Sequence, residues 1–229
     1  YVSAKEYERR VRESDSRSAL VKAAQQSWLT PMEKPRDRFV FRSDAAFTSE
    51  LTEAQKAAAK LEPSFQAIYE TLKRGESARK DESVPRWQAG YDLAMGRVLA
   101  TKVRTETYNA MLAKAKRGLK FSDAKNNTWQ LVPADEISVG SQLNKQAEQA
   151  RDYLTRVTAE HDGTPWSALA ERELKEPMGW VWKESHTPIR PPRNAVAGNN
   201  NNNNRPRPPA DEQRRMLKRP TPRRNPPKL

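Results

Sequence analysis

The chain has 229 residues, of which 35% are hydrophobic and 31% are charged, and its formal net charge is +13. This composition favours helices with wide solvated faces over a compact β protein. There is no cysteine, which excludes a disulfide framework, a thiol nucleophile and a cysteine-based zinc site.

The positive charge is unevenly placed along the chain. Residues 185–229 contain 11 of the 42 Lys and Arg residues and 2 of the 29 Asp and Glu residues, so this tail carries +9 and residues 1–184 carry +4. The basic composition therefore points to an anionic ligand only for the tail. The chain starts at Tyr1, so we expect a fragment or a processed product. No run approaches the roughly 20 apolar residues that span a bilayer.

Two helices are predicted before residue 31. Ser3 and Glu6 have the spacing of a capping box, which predicts a short first helix. A second helix is predicted from Asp15 or Ser16, and Pro31 ends it because proline has no amide hydrogen. The predicted apolar face of the second helix consists of Leu20, Val21, Ala24 and Trp28.

An extended connector and a long apolar stripe come next. Residues 31–43 are predicted to be extended, with Phe39 and Phe41 attaching them to the body. The stripe steps by three and four residues, as one helical face does. It consists of Leu51, Ala54, Ala58, Leu61, Phe65, Ile68 and Leu72. Pro63 interrupts the stripe without changing its phase, which favours a kinked helix or two abutting helices.

The longest predicted helix runs from Pro85 to about Lys116, after a charged segment, residues 76–84, that is predicted to be exposed. The apolar stripe of this helix is broad, which indicates contact with more than one neighbour. Gly90 and Gly96 weaken the helix by roughly 1 kcal/mol each relative to Ala. We expect them to permit close approach of another helix.

The last elements are a short β segment and a helical hairpin. Residues 128–132 predict a strand or a hairpin. A helix is predicted from about Ser141. After a turn, Thr164 caps a further helix with Pro165 at its first position, where the missing amide hydrogen costs nothing. That helix stops before Pro177.

These elements predict a mainly α fold, an irregular helical bundle with a helical hairpin near its C-terminus. The predicted organisation is residues 1–43 as N-terminal helices and connector, residues 44–184 as a helical domain, and residues 185–229 as a disordered tail. The tail holds six consecutive Asn residues and no aromatic residue, so it cannot bury enough apolar area to offset the entropy of ordering.

No cluster of residues predicts a reaction, so we predict no catalytic, cofactor or metal residue and no enzyme. His161 lies in a predicted turn and His186 at the start of the tail, and neither has the orienting partner that a general base requires. Asp135 and Glu136 are predicted to place negative charge near the N-terminus of the following helix. Phosphate-binding loops, HExxH and Gly-x-Ser-x-Gly are absent from the sequence.

The large aromatic residues could line a peptide groove or pack in the core. Trp87 and Trp166 fall on apolar helical stripes, which favours the core. Trp180 and Trp182 alternate in an extended segment. They are the better candidates for exposed aromatics, with the alternative that they hold the C-terminal segment against the body.

The tail is the strongest candidate for binding, because its arginines are spread among prolines. They are Arg190, Arg193, Arg205, Arg207, Arg214, Arg215, Arg219, Arg223 and Arg224. Extended segments of this kind can neutralise phosphates or anionic glycans without a folded site. The alternatives are a solubilising linker and docking to a groove that binds polyproline helices.

Six stretches of the body carry family resemblances. One is AEQARDYLTRVTAEHDGTPWSALAERELKEP, which resembles a tetratricopeptide hairpin. The others are ALVKAAQQSWLTPMEKPRDRFVFR, ELTEAQKAAAKLEP, PRWQAGYDLAMGRVLATKVRTETYNAMLAKAKRG, NNTWQLVPADEISVGSQL and HDGTPWSALAERELKEPMGWVWKE. Together these five resemble the region after the von Willebrand factor type A domain in a group of bacterial, mainly planctomycete, proteins.

The second resemblance implies that the chain is the C-terminal part of such a protein, exported or associated with the cell envelope. The A domain binds protein ligands through a metal site that begins Asp-x-Ser-x-Ser. Asp15-Ser16-Arg17-Ser18 has the wrong spacing, so no metal ligand is carried over.

The predicted function is a non-catalytic helical scaffold, or protein-interaction module, that follows the A domain and binds a protein partner. The tail would add weak contact with a polyanion. The alternative is a protein that binds nucleic acid or an anionic surface mainly through this tail.

Overall fold

A computed structural model of the protein describes residues 2–28 and 35–188, and this part of the chain is mainly helical with one small sheet. The prediction of a mainly α fold is confirmed. The helices are α1 (Ala4–Arg12), α2 (Asp15–Trp28), α3 (Asp44–Ala59), α4 (Glu62–Lys73), α5 (Glu76–Arg79), α6 (Pro85–Lys116), α7 (Ser141–Glu160) and α8 (Pro165–Leu174). The strands are β1 (Arg38–Val40), β2 (Thr128–Ala134) and β3 (Gly179–Ser185).

The 32-residue helix α6 organises the fold. It packs against α2, α3, α4, α7, α8 and β3, as its broad apolar stripe predicts. The side chains of Tyr91, Met95, Leu99 and Val103 are almost fully buried in one core cluster, and Leu112 belongs to a second. Helix α6 therefore connects the two main parts of the core.

The stripe from Leu51 to Leu72 forms two abutting helices, which decides between the two predicted alternatives. Helix α3 ends at Ala59 and α4 starts at Glu62, with Pro63 in its first turn. A proline is tolerated there because amides of the first turn have no partner within the helix. All stripe residues are buried except Leu61, which is partly exposed at the junction.

The predicted apolar face of α2 is confirmed for Leu20, which packs against a core cluster, and wrong for Ala24. The side chain of Trp28 lies outside the described residues. Ala19 and Ala23 are buried, whereas Ala24 is exposed. Small residues face inward because the chain at Gly75 comes very close, and a Cβ placed on Gly75 would lie 2.8 Å from the Ala19 Cβ. A larger apolar side chain does not fit at this contact.

The predicted exposure of residues 76–84 is also wrong for two of its charged side chains. Arg79 and Glu82 are buried. Arg79 pairs with Asp92 of α6, and Glu82 pairs with Arg17 of α2. The charged composition of this segment thus serves tertiary packing, since buried charges require partners.

The three strands form an antiparallel sheet in the order β1-β2-β3. The predicted strand near residues 128–132 is confirmed as β2. The predicted connector contains β1, whose Phe39 pairs with Trp129 of β2 and is fully buried. Phe41 contacts the rings of Phe47 and Phe121, so both phenylalanines attach this segment to the body.

Helices α7 and α8 form the predicted hairpin. Thr164 caps α8 by accepting a hydrogen bond from the Ser167 amide at 3.3 Å. Helix α7 packs so closely on α6 at Gly96 that a Cβ atom added there would lie 2.7 Å from Leu154 Cγ. This contact confirms the predicted use of Gly96.

The chain divides into one compact unit that ends at Thr187 and a second unit over Pro188–Leu229, which lies outside the described residues except for Pro188. The predicted start of the tail at residue 185 is wrong by three residues, because Ser185 belongs to β3 and the Thr187 amide donates to the Asn127 side chain. From residue 189 onward, the tail and its predicted disorder lie outside the described residues. Among the described helices, none combines the length and the apolar character needed to cross a bilayer.

Candidate interaction groove

A groove of about 800 Å³ lies between α4, α6 and α7. From α6 it is lined by Lys102, Glu106 and Asn109, whose spacings of four and three residues place them on one helical face. The residues contributed by the other elements are Ala59, Glu62, Pro63, Gln66, Gly140, Gln142, Leu143 and Gln146. The volume lies within the range of about 300–1,000 Å³ that is typical of ligand sites.

The part of the groove formed by α6 is polar and largely buried. The Lys102 side chain is only 11% exposed, and its ammonium donates to the Glu106 carboxylate at 2.5 Å. It also reaches the side-chain oxygen of Gln146 on α7 at 3.5 Å. Lys102 therefore connects α6 to α7 at the base of the groove.

Four carboxamides line the groove, from Gln66, Asn109, Gln142 and Gln146. Each carboxamide offers both donors and an acceptor. The Asn109 Oδ1 atom is buried and accepts no hydrogen bond from the described residues. A buried acceptor without a partner costs free energy, and this atom is closed to the groove, so the accessible polar groups are those of the other three carboxamides.

A smaller space of about 280 Å³ lies farther along the same faces of α4, α6 and α7, lined by residues that include Tyr69, Glu76, Tyr153 and Arg156. The Tyr153 hydroxyl donates to the Glu76 carboxylate. Burial raises the pKa of the Tyr153 hydroxyl, and the hydrogen bond to Glu76 adds to the rise. Tyr153 thus stays protonated and joins α7 to α5 rather than acting as a base.

Three buried carboxylates are held in ion pairs that join different elements. The pairs are Arg17–Glu82, Arg79–Asp92 and Arg104–Glu173. The Arg17 hydrogen bonds hold the pKa of the Glu82 carboxyl below its ordinary value. These carboxylates serve the tertiary structure, because each is already occupied by a guanidinium.

Trp180 and Trp182 lie on β3 and are half-buried against α6. The Trp180 indole N–H donates to the Arg104 carbonyl at 3.0 Å, and the Trp182 indole N–H donates to the Met111 carbonyl at 3.1 Å. Both rings pack against one core cluster. This arrangement holds the C-terminal strand against the long helix.

Trp87 and Trp166 occupy the edge of the core rather than its centre. Trp87 is half-buried, its ring is stacked on Tyr7 of α1, and the guanidinium groups of Arg17 and Arg86 each lie 5.6 Å from its centroid. Trp166 is half-buried against the small cluster between α7 and α8. The apolar stripes identify a packed face but not how deeply each residue is buried.

The remaining candidate residues do not converge on one another. His161 is buried at the end of α7, and its Nε2 atom has no hydrogen-bond partner among the described residues, while His186 is exposed after β3. Asp135 and Glu136 are exposed in the loop before α7, which starts only at Ser141. Neither residue belongs to the first turn of α7, which contains no acidic side chain.

The nine tail arginines and the nucleic-acid or anionic-surface interface predicted for them lie outside the described residues, from Arg190 to Arg224. In residues 2–28 and 35–188, no group of three or more acidic or histidine side chains is placed to hold a metal ion.

Sequence reasoning missed the groove between α4, α6 and α7. The signal for it is the polar strip Lys102–Glu106–Asn109 on a helix that is otherwise apolar on several sides. A polar strip on a central helix marks the line that neighbouring helices leave uncovered. Comparison with family models, with curated proteins and with solved structures finds no match to this chain.

Proposed function

We propose that the chain is a non-catalytic helical scaffold that binds a segment of a protein partner in the groove between α4, α6 and α7. The observation that carries the proposal is the groove itself, with the carboxamides of Gln66, Gln142 and Gln146 along it. Carboxamides match the N–H and C=O groups of an extended peptide backbone. We therefore favour a peptide segment over a charged small molecule.

Two further features support a scaffold. The buried carboxylates of Glu82, which lies between α5 and α6, Asp92 of α6 and Glu173 of α8 are used in ion pairs that fix the packing. The α7–α8 hairpin resembles a tetratricopeptide unit in its sequence, and five further stretches resemble the region after a von Willebrand factor type A domain. In that context the module would position the A domain or present a docking groove beside it.

The test is selection of peptides from a random 12-residue phage library on the full chain, followed by fluorescence-polarisation titration. Gln142 is exposed and lines the groove, so Gln142→Arg should block a bound segment without unfolding the protein. Gln25→Arg is the matched control, since Gln25 is exposed on α2. We expect at least a tenfold loss of affinity for Gln142→Arg only.

Binding to the groove should also persist in a chain that ends at Pro188 and should change little between 50 and 500 mM salt. If the selected peptides bind Gln142→Arg and wild type equally, the groove is not the binding site and the proposal fails.

A second candidate is binding of a polyanion through the tail, favoured by the charge of +9 on residues 185–229. Binding of this kind falls steeply with salt, because it depends on release of counterions. Titration with DNA, heparin and anionic vesicles at several salt concentrations tests it. Loss of all binding in the chain that ends at Pro188 would support the tail as the main functional element.

A further inference from the structure

Strand β3 is an edge of the sheet, seven residues long and paired on one side only. It contains no proline, and its pairing with β2 runs through seven consecutive residues without a bulge. Such edges can template pairing with another strand. Most proteins shorten, bend or cover them, whereas β3 is long and regular.

The register shows which backbone groups of β3 point outward. Phe41 donates its amide to Asn127, and Leu131 donates its amide to Asp37, so the odd-numbered residues of β2 face β1. The even-numbered residues of β2 then face β3, because hydrogen bonding alternates along an antiparallel strand. Their partners are Gly179, Val181, Lys183 and Ser185.

The amides and carbonyls of Trp180, Trp182 and Glu184 therefore point away from β2. No hydrogen bond joins them to other residues in the part of the chain that the structure describes. Unpaired backbone groups in a row form the hydrogen-bonding half of a strand ladder.

The side chains along this edge leave apolar surface exposed. Val181 is 40% exposed on the outer face of the sheet, and Trp180 and Trp182 are only half-buried on the inner face. A strand added at this edge would cover part of each. Exposed apolar side chains beside open backbone groups favour a strand as the occupant.

We infer that β3 pairs antiparallel with β3 of a second copy of this chain, which joins two three-stranded sheets into one of six strands. A twofold axis at Trp182 places Trp182 opposite its own copy and Trp180 opposite Glu184. On the outer face it places Val181 opposite Lys183. No like charges stand directly opposite in this register, so the edge is complementary to itself. One strand pair is a small interface, which predicts a weak dimer with a dissociation constant in the micromolar range.

The register makes a sharp prediction at residue 181. Val181→Lys would place lysine opposite Lys183 twice in the dimer, whereas Val181→Glu would place an opposite charge there twice. Two such pairs at about 0.2–1 kcal/mol each change the dissociation constant by roughly 2- to 30-fold. Sedimentation equilibrium of the full chain should show weaker association for Val181→Lys and tighter association for Val181→Glu.

The matched controls are Val84→Lys and Val84→Glu, because Val84 is 41% exposed and precedes α6, away from the sheet. Circular dichroism checks that all four variants are folded. Hydrogen exchange provides a second readout. The amides of residues 180, 182 and 184 should exchange more slowly as the concentration of the wild-type protein is raised.

A chain that stays monomeric up to millimolar concentration would overturn the dimer. The same conclusion follows if Val181→Lys and Val181→Glu shift association equally, or if the Val84 variants reproduce their effects. These outcomes are independent of the groove, since no groove residue lies on β3.

Discussion

Arg79 and Asp92 form a two-point ion pair inside the protein, with Arg79 Nη2 2.6 Å from Asp92 Oδ2 and Arg79 Nε 3.1 Å from Asp92 Oδ1. The Asp92 side chain has no exposed surface. Burial raises the pKa of the Asp92 carboxyl, and the hydrogen bond from Arg79 opposes the rise. The pair fixes the short helix α5 against the long helix α6.

The first prediction concerns this pair. Arg79→Met should lower the free energy of unfolding by about 3–5 kcal/mol, because it leaves a buried carboxylate without its main partner. Arg156, 3.4 Å from Asp92, is half-exposed and compensates only in part. The double variant Arg79→Met/Asp92→Leu should recover most of the loss. Urea denaturation of the three proteins checks this, and a double variant as unstable as the single one would contradict it.

The second prediction concerns Glu82 and pH. Hydrogen bonds from Arg17 and from the Val84 amide hold the pKa of the Glu82 carboxyl below its ordinary value of 4.5. A lowered pKa in the folded state means that the fold favours the carboxylate. This contribution to stability is complete at neutral pH, declines below pH 4.5 and is lost as pH falls through the lowered pKa.

Glu82→Gln removes the carboxylate and isolates this effect. At pH 7 the variant should be less stable than wild type, and the difference should shrink between pH 5 and pH 3. Urea titrations of both proteins at four pH values measure it. A difference that stays constant or grows on acidification would assign the effect of the substitution to packing instead of charge.

The sequence predicted the elements that rest on strong local signals. The bounds of α6 follow from Pro85 at its first position and from Gly118, which has a φ of +112° just after its end. The start of α8 follows from Thr164 and Pro165 in the same way. Capping and proline effects act within one helical turn, so they can be read from neighbouring residues.

Prediction from the sequence was wrong where contacts between distant residues determine which side chains are buried. The burial of Arg79 and Glu82 depends on partners 13 and 65 residues away, which no local pattern reveals. Strand β1 is only three residues long, and it exists because β2 pairs with it. The groove was missed for the same reason, because it is formed by residues of α4, α6 and α7 that are distant in the sequence.

The third prediction compares two glycines of α6. Gly96→Ala should destabilise the protein by about 1–3 kcal/mol, because the new Cβ would lie 2.7 Å from Leu154 Cγ in a packed interface. Gly90→Ala is the matched control. Its nearest contact is the end of the flexible Leu20 side chain at 3.2 Å, so the gain in helix propensity of about 1 kcal/mol should offset any crowding. Thermal unfolding should separate the two variants, and equal midpoints would refute the close contact at Gly96.

The fourth prediction concerns the division at Thr187 and Pro188. A chain that ends at Pro188 should keep its helical circular dichroism and unfold cooperatively with an unchanged midpoint. Among the described residues, the three core clusters extend no further along the chain than Trp182. A loss of helical signal on truncation would show that the tail contributes to folding of the body.

The fifth prediction tests whether the Trp182 ring stabilises the fold or is available to bind a ligand. Its ring contacts Phe39 and Trp129, and its indole N–H donates to the Met111 carbonyl. Trp182→Phe keeps much of the apolar contact and should cost about 1 kcal/mol for the lost hydrogen bond, whereas Trp182→Ala should cost about 3–5 kcal/mol. Lys183→Ala, at the exposed neighbouring position, should change stability by less than about 0.5 kcal/mol. Urea denaturation at one protein concentration measures all three. Equal stability of wild type and Trp182→Ala would mean that the ring is not needed for the fold and is free for binding. A loss of stability that is small for Trp182→Phe and large for Trp182→Ala would mean that the ring holds β3 on α6.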